Sequence, residues 1–480
     1  MYDLKKIIEK EGPKLSSELI ELIVENDKVS KDTARKRLSR LKDPISKIKG
    51  LFSDNQIFFY HKKIYKKPEF YDALIEAFEL SGKKYFAIIN SVQYHYGFIN
   101  KDRLAAFSFS PVKNLKGHRR FDSVIGKLIE LGLVYEEESN YKLNSSICVT
   151  ENYQHSKSLE VVENFLLDQF NDWSRSIGLT SYDSARNYSE FAKFLWAYVS
   201  PSYITSLVRY NEKKIIPGFI VADILIGNRN NNEAIIFFLK KLEVLKNLNN
   251  ISSFLPFLIT DYLDHSTFKI LKEKEVIIGL VDKMFGDGYK ELINSLINSI
   301  TNAGAILKNN PNEYLKLIDS INKLVTGKTN NLKGDLFELA VGYYHGQKCK
   351  VLDIGKIIYL KEKQREIDVL AVYDDKIIIA ECKGYKNKVD KDEIEKWVSE
   401  KVSVIRQWVL SIECYAHKKI VFEHWSTGGY TDEALDYINC LNVKKYEIEF
   451  IDFKRMSEKS KEIESKKFKQ ILKEYYMTAL

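Results

Sequence analysis

The sequence predicts a multidomain α/β protein, and three observations carry that expectation. Short, largely aliphatic runs alternate with helical patterns over residues 220–281 and again over 351–453, as strands covered on both faces require. The first 150 residues twice follow an order of helices closed by a two-stranded hairpin. The 480 residues, 45% of them apolar, suffice for several cores at about 100–200 residues per domain. The expected boundaries are 1–80 and 81–152 for two small helix-and-hairpin modules, 153–305 for a middle α/β layer domain, and 306–480 for a C-terminal α/β domain with a central mixed sheet and a final helix.

Composition narrows the partners. Lys and Arg exceed Asp and Glu by 74 to 66, a mild excess. Nearly all of it, about +7, falls in residues 1–150, with about 0 in 151–330 and +1 in 331–480. A polyanionic partner is therefore expected at the N-terminal end. The five cysteines are scattered, with no C-x-x-C and no His in ligand spacing, which speaks against a disulfide framework or a structural zinc and for a reducing, cytoplasmic setting. The N-terminus lacks the apolar core of a signal peptide, and no run approaches the ~18 apolar residues of a membrane span. No membrane partner is expected.

Residues 2–25 read as two short helices parted by Gly12-Pro13. Ser30 then caps a helix on which Ala34, Leu38 and Leu41 recur at helical spacing. Lys31, Arg35, Lys36, Arg37 and Arg40 are left on its outer faces as candidate nucleic-acid contacts. Strands Ile45–Leu51 and Ile57–Tyr60 follow, joined by Ser53-Asp-Asn-Gln56. Nine basic residues against two acidic ones lie between Lys28 and Lys49, a density suited to phosphates. This order resembles a winged helix-turn-helix. A less basic second copy comprises helices near 83–95, 101–107 and 121–131 and the hairpin 132–143.

The middle segment alternates a strand at 220–226, a helix near 232–247, a strand at 254–259, a helix near 264–273 and a strand at 276–281. Asp223 has no charged companion at catalytic spacing and is expected to be structural. By element order the domain is a candidate degenerate relative of the C-terminal one. Residues 301–328, with Asn309-Asn-Pro-Asn312 and Gly327, read as a linker plus a helix. The tail from Lys454 to Lys473 reads as a charged amphipathic helix, with Ile463, Phe468, Ile471 and Leu472 free to pack on its own domain or on a dimer partner.

Residues 330–385 carry the chemistry. Gly334, Glu338 and Gly342 recur every four residues on one helical face. Strand Val351–Leu360 leads to Arg365–Val372, the turn Asp374-Asp375 and Lys376–Lys383. If Tyr373 faces Lys376 across that turn, Asp368 stands opposite Glu381, and Lys383 projects from the same face as Glu381. Two such carboxylates repel strongly in a poorly solvated sheet unless a cation or a proton intervenes. Hard oxygens suit Mg2+, with Mn2+ as substitute. Lys383 is placed to orient or help deprotonate a water and to offset charge on a phosphorane-like transition state. Glu338, presented from the helix, is placed to hold a second metal or its water shell.

The run Gly334-Asp-Leu-Phe-Glu338, Glu366-Ile-Asp368 and Glu381-Cys-Lys383 resembles the PD-(D/E)xK nuclease superfamily, most closely Mrr-like restriction endonucleases and the archaeal Holliday-junction resolvases, over about 120 residues. Ile367 stands where the family commonly has Pro. The resemblance implies a restriction-endonuclease-like fold, with Asp368, Glu381 and Glu338 as metal ligands and Glu338, Asp368, Glu381 and Lys383 as the catalytic set. The following order, helix 391–412, strand 419–424, helix 431–441 and strand 446–453, agrees with it. Glu366, Lys386 and Lys388 are expected to be solvated flanking charges, and Cys382 a core residue on the opposite face.

The function expected is thus a cytoplasmic Mg2+-dependent DNA endonuclease of restriction or antiviral defence type, acting on duplex DNA as a homodimer or within a larger defence complex. The alternatives are an RNA-cleaving enzyme and a nucleic-acid-binding regulator whose nuclease-like domain is an interaction module.

Overall fold

The computed structural model describes residues 4–148, 150–182, 184–211, 214–227, 233–324, 330–361 and 363–477. They form two compact units, residues 1–152 with 170–280 and residues 153–169 with 281–480. The chain is a mixed α/β protein. These units cut across the four expected segments: the first contains the N-terminal 152 residues and most of the middle segment, and the second takes in residues 153–169 and 281–305.

In the first unit, helices Leu4–Glu11, Ser16–Asp27 and Lys31–Ser39 pack with a sheet of β1 (Lys14–Leu15), β2 (Ile45–Lys49) and β3 (Ile57–His61), in the order β1-β3-β2. Ser30 caps the third helix by accepting the Thr33 N–H. Leu19, Ile23, Ala34, Leu38 and Phe59 form the core, the apolar spacing seen in the sequence. The next set repeats the theme: helices Pro68–Ser81, Lys83–Tyr94 and Phe121–Glu130 accompany β4 (Phe98–Asn100), β5 (Val134–Glu137) and β6 (Asn140–Leu143), in the order β4-β6-β5.

The rest of the unit is built on a five-stranded sheet. β7 (Arg186–Phe191), β8 (Phe194–Ser202) and β11 (Gly218–Leu225) are antiparallel neighbours, and β12 (Phe254–Thr260) and β13 (Ile277–Leu280) continue in parallel. A hairpin of β9 (Arg209–Asn211) and β10 (Lys214–Ile216) precedes β11. The strands at 220–226, 254–259 and 276–281 were legible as aliphatic runs. β7 was not, because Arg186-Asn-Tyr-Ser-Glu190 is polar and largely exposed, and the apolar, buried run of β8 was not singled out as a strand.

The second unit has the same sheet plan. β14 (Val351–Leu360), β15 (Lys363–Val372) and β16 (Lys376–Lys383) form an antiparallel meander, and β17 (Lys419–Ser426) and β18 (Glu447–Ile451) add in parallel. One face carries Leu370, Val372, Ile377, Ile379 and Phe422, covered by Trp397, Val402, Ile405 and Val409 from the helical stretch 391–411. Of the linker plus helix expected over 301–328, the helix is present as Asn312–Leu324, but the residues before it are not a linker: helix Ala303–Asn309 precedes it, and the two bury Ala303, Leu307, Tyr314, Leu315 and Ile318, with the Asn-Asn-Pro-Asn run as the break between them. Gly327 lies outside the described residues. The tail forms helices Phe453–Ser460 and Lys466–Ile471 and docks on its own unit. Phe468 stacks on Tyr343 at 4.2 Å, and Ile463, Ile471 and Leu472 are buried.

Candidate active site

The β15–β16 ladder pairs Val372 with Ile377 and Val369 with Ala380, and the Tyr373 N–H donates to Lys376 O at 2.8 Å. This is the expected register, and it brings Asp368 opposite Glu381 on the face covered by helix 391–411. The ladder ends one step earlier. The Cys382 N–H, which would continue it, donates to Asp368 Oδ2 at 2.7 Å. The strands part there and leave both carboxylates buried, at 8% and 6% exposure. Lys383, two residues along β16, lies 3.0 Å from Glu381 Oε1 and 3.3 Å from Glu393.

Glu338 is delivered by the helix Phe337–Gly346. The expected helix over 330–344 breaks at Leu336 into Asn330–Asp335 and Phe337–Gly346. Just before it, Gly334 and Gly384 meet backbone to backbone. A Cβ on Gly384 would lie 2.5 Å from Gly334 O and 2.6 Å from Phe337 Cβ. No larger residue permits that approach, which sets the helix start against the end of β16.

Lysines from outside the motif complete the arrangement. Lys157, on the helix Tyr153–Ser176, donates to both oxygens of Glu338 at 3.0 Å and to Glu366 Oε1 at 2.6 Å. Tyr153 Oη donates to Glu366 Oε2 at 3.0 Å. Lys401 donates to both oxygens of Glu381, at 3.0 and 3.1 Å. Glu366 is therefore not the solvated charge expected of it: it is three-quarters buried and shares Lys157 with Glu338. The sequence could not show this, because its partners lie more than 200 residues upstream. Lys386 and Lys388 are exposed, as expected, and Cys382 is half-buried.

The electrostatics divide the carboxyls. Burial, then Glu381 and Glu338, push the Asp368 carboxyl well above the usual range. Burial would also raise Glu381, but Lys401 and Lys383 hold it low. Burial works against charge on Lys383, but Glu381 and Asp368 outweigh it and keep the ammonium protonated. Lys383 is accordingly a cation and donor in this state, not a free base. His424, cross-strand from Glu381, is fully buried and pushed by burial down to about 3, so it is neutral.

Among the described residues, no three His, Cys, Asp or Glu side chains already stand as a metal cage. The donor set nonetheless fits a hard divalent cation. Two buried carboxylates face each other, and Asp368 accepts the neutral Cys382 N–H while the pull of Lys401 and Lys157 on it is outweighed by burial, Glu381 and Glu338. Asp368 and Glu381 would hold such an ion, with Glu338 next to them.

The middle sheet offers a contrast. By register, Asp223 on β11 corresponds to Glu381: each follows an Ala, and the Ala197 N–H donates to Asp223 Oδ1 at 3.1 Å. Ala197 stands in the place of Asp368 and Leu225 in that of Lys383. Asp223 does have a charged companion, Lys241, at 2.5 Å with both side chains buried. Lys241 also donates to Ala106 O and Leu195 O. The charged companion that the sequence did not show is this helix-borne lysine, 18 residues downstream, in a buried ion pair.

Of the five basic residues on the third helix, Lys31, Arg35, Lys36 and Arg40 are exposed, though Arg35 pairs with Asp32 at 3.1 Å. Arg37 is half-buried and tied to Asp27 at 2.5 Å, which gives it a structural role. No described helix is long and apolar enough to cross a membrane.

No protein-family model matches the chain, and no curated protein matches it. The crystal structure of protein VC1899 from Vibrio cholerae aligns over 46% of this chain and 51% of that one, at 9% sequence identity and a TM-score of 0.17. Such a likeness carries no argument about fold or function.

Proposed function

We propose that the chain is a metal-dependent nuclease that hydrolyses phosphodiester bonds, with duplex DNA as substrate and restriction or antiviral defence as its setting. One observation carries the reading: buried Asp368 and Glu381 face each other across β15 and β16, with Lys383 on the same face and 3.0 Å from Glu381. Together with Glu338, these residues have the order and spacing of the PD-(D/E)xK set.

A divalent cation, Mg2+ or Mn2+, would supply charge neutralisation at the scissile phosphate. The chain's own groups do the rest. Asp368 and Glu381 bind the cation. Lys383, held protonated, donates to a phosphate oxygen and stabilises charge that develops there. Glu338, oriented by Lys157, completes the acidic wall. The exposed Lys31, Lys36 and Arg40, on modules whose helix-and-hairpin order suits a winged helix, support duplex contact through phosphates.

Supercoiled plasmid incubated with the purified chain is expected to be nicked with Mg2+ and left intact with EDTA. Asp368→Asn and Lys383→Met should each lower the rate by about 10²-fold or more. Undiminished cutting by either variant would refute the assignment, and a parallel RNA substrate decides between DNA and RNA.

A further inference from the structure

Resting on that reading, we propose that Lys401 is a second lysine of the active site: it occupies Glu381 as an internal cation and turns to a substrate phosphate oxygen once Glu381 binds a metal.

Three observations carry this. First, Glu381 is over-supplied with positive charge. Lys401 spans both its oxygens, while Lys383 touches one of them and divides its contact with Glu393. One carboxylate needs only one ammonium, so a cation arriving between Asp368 and Glu381 would displace the surplus one. Second, Lys401 lies in a π-helical turn, Trp397–Val402, set between the α-helical segments Lys391–Lys396 and Ser403–Ser411. Such widened turns are rare, and those that occur are frequently at functional sites. Here Trp397 and Val402 remain buried in the core while Lys401 reaches the acidic end of the sheet. Third, the middle sheet shows what a purely structural version looks like. Lys241 is fully sealed with Asp223, whereas a third of the Lys401 side chain is open to solvent. A sealed lysine cannot reach a substrate, and an open one on a flexible stem can.

The full-length chain tests this in two ways. Without substrate, Lys401→Met removes a charge that competes with the metal. Mn2+ titrated by calorimetry should therefore bind about threefold tighter or more, while Lys401→Arg should bind as wild type does. With plasmid, K401M should lose about 10²-fold in kcat, and K401R should recover most of that loss. Should K401M fail to fold, K401Q drops the charge while keeping a donor and carries the same expectations. Wild-type nicking by K401M overturns the proposal. So does unchanged or weaker Mn2+ binding, which would make Lys401 a structural clamp. A wild-type chain that nicks nothing ends the nuclease reading instead, and the Mn2+ titration still decides whether Lys401 competes for Glu381.

Discussion

Glu423 shows how much one buried carboxylate can carry outside the candidate site. It lies 3.1 Å from His345 Nε2, accepts the Trp425 indole N–H at 2.7 Å and faces Lys459 at 3.4 Å. Burial alone would raise its pKa, but His345, Lys459 and Trp425 hold it down to about 2. A carboxyl depressed in the folded state stabilises the fold above its unfolded pKa near 4.5, and that stability disappears as pH falls from about 4.5 to 2. The expected worth is on the order of 3 kcal/mol at neutral pH. Glu423→Gln should lower the melting temperature at pH 7 and flatten its fall between pH 4.5 and 2, as read by thermal scans across that range. The contrast with Asp368 is instructive at this scale. Both side chains are buried acids on the same sheet, but Asp368 faces other carboxylates and Glu423 faces donors and cations, so their pKa values move in opposite directions.

At the scale of elements, the site depends on a few close approaches that aim side chains. The crossing of Gly334 and Gly384 fixes where the Phe337–Gly346 helix starts relative to β16, and so how Glu338 meets the strand-borne residues. Gly384→Ala would put a Cβ 2.5 Å from a carbonyl oxygen, which only a backbone shift relieves. A loss of about 1–3 kcal/mol in stability is expected, with a disproportionate drop in nicking, measured by denaturant melts beside plasmid assays. The first turns of the Tyr153–Ser176 helix matter in the same way, because they bring Lys157 to Glu338 and Glu366. The hairpin register was legible in the sequence because strand alternation and the Asp374-Asp375 turn fix it to the residue. The contributions of Lys157 and Lys401 were not, since a lone lysine on a helix carries no local sign of which carboxylate it will meet.

At the scale of the whole molecule, the described residues show the same five-stranded plan twice, with three antiparallel strands followed by two parallel ones. Only the second sheet carries the facing acids and the E-x-K lysine; the first retains an acid on the equivalent strand and a helix-borne lysine, closed into a buried ion pair. Lys241→Met would strand the Asp223 carboxylate in the core. It should cost about 3–5 kcal/mol yet leave plasmid nicking at permissive temperature unchanged, the reverse of what Asp368→Asn should do. Comparison of melting curves with cutting rates for the two variants checks this. Charge is divided along the chain, with about +7 in residues 1–150 and near-neutrality beyond; on the proposed function, polyanion attraction and cation binding would fall to different parts of the protein.

The sequence by itself determined the mixed α/β character, the strand register that sets Asp368 against Glu381, and the helical character of the segment that presents Glu338, though not its break at Leu336. These follow from periodicities of two and about 3.6 residues, which are local. Only the tertiary structure decided that Glu366 belongs to the acidic cluster, that Arg37 is spent on Asp27, that Asp223 pairs with Lys241, and that Lys157 and Lys401 neutralise the candidate site. Each of those facts joins residues 10 to more than 200 positions apart, and charge pairing at such separations is fixed by how elements pack, not by any pattern along the chain.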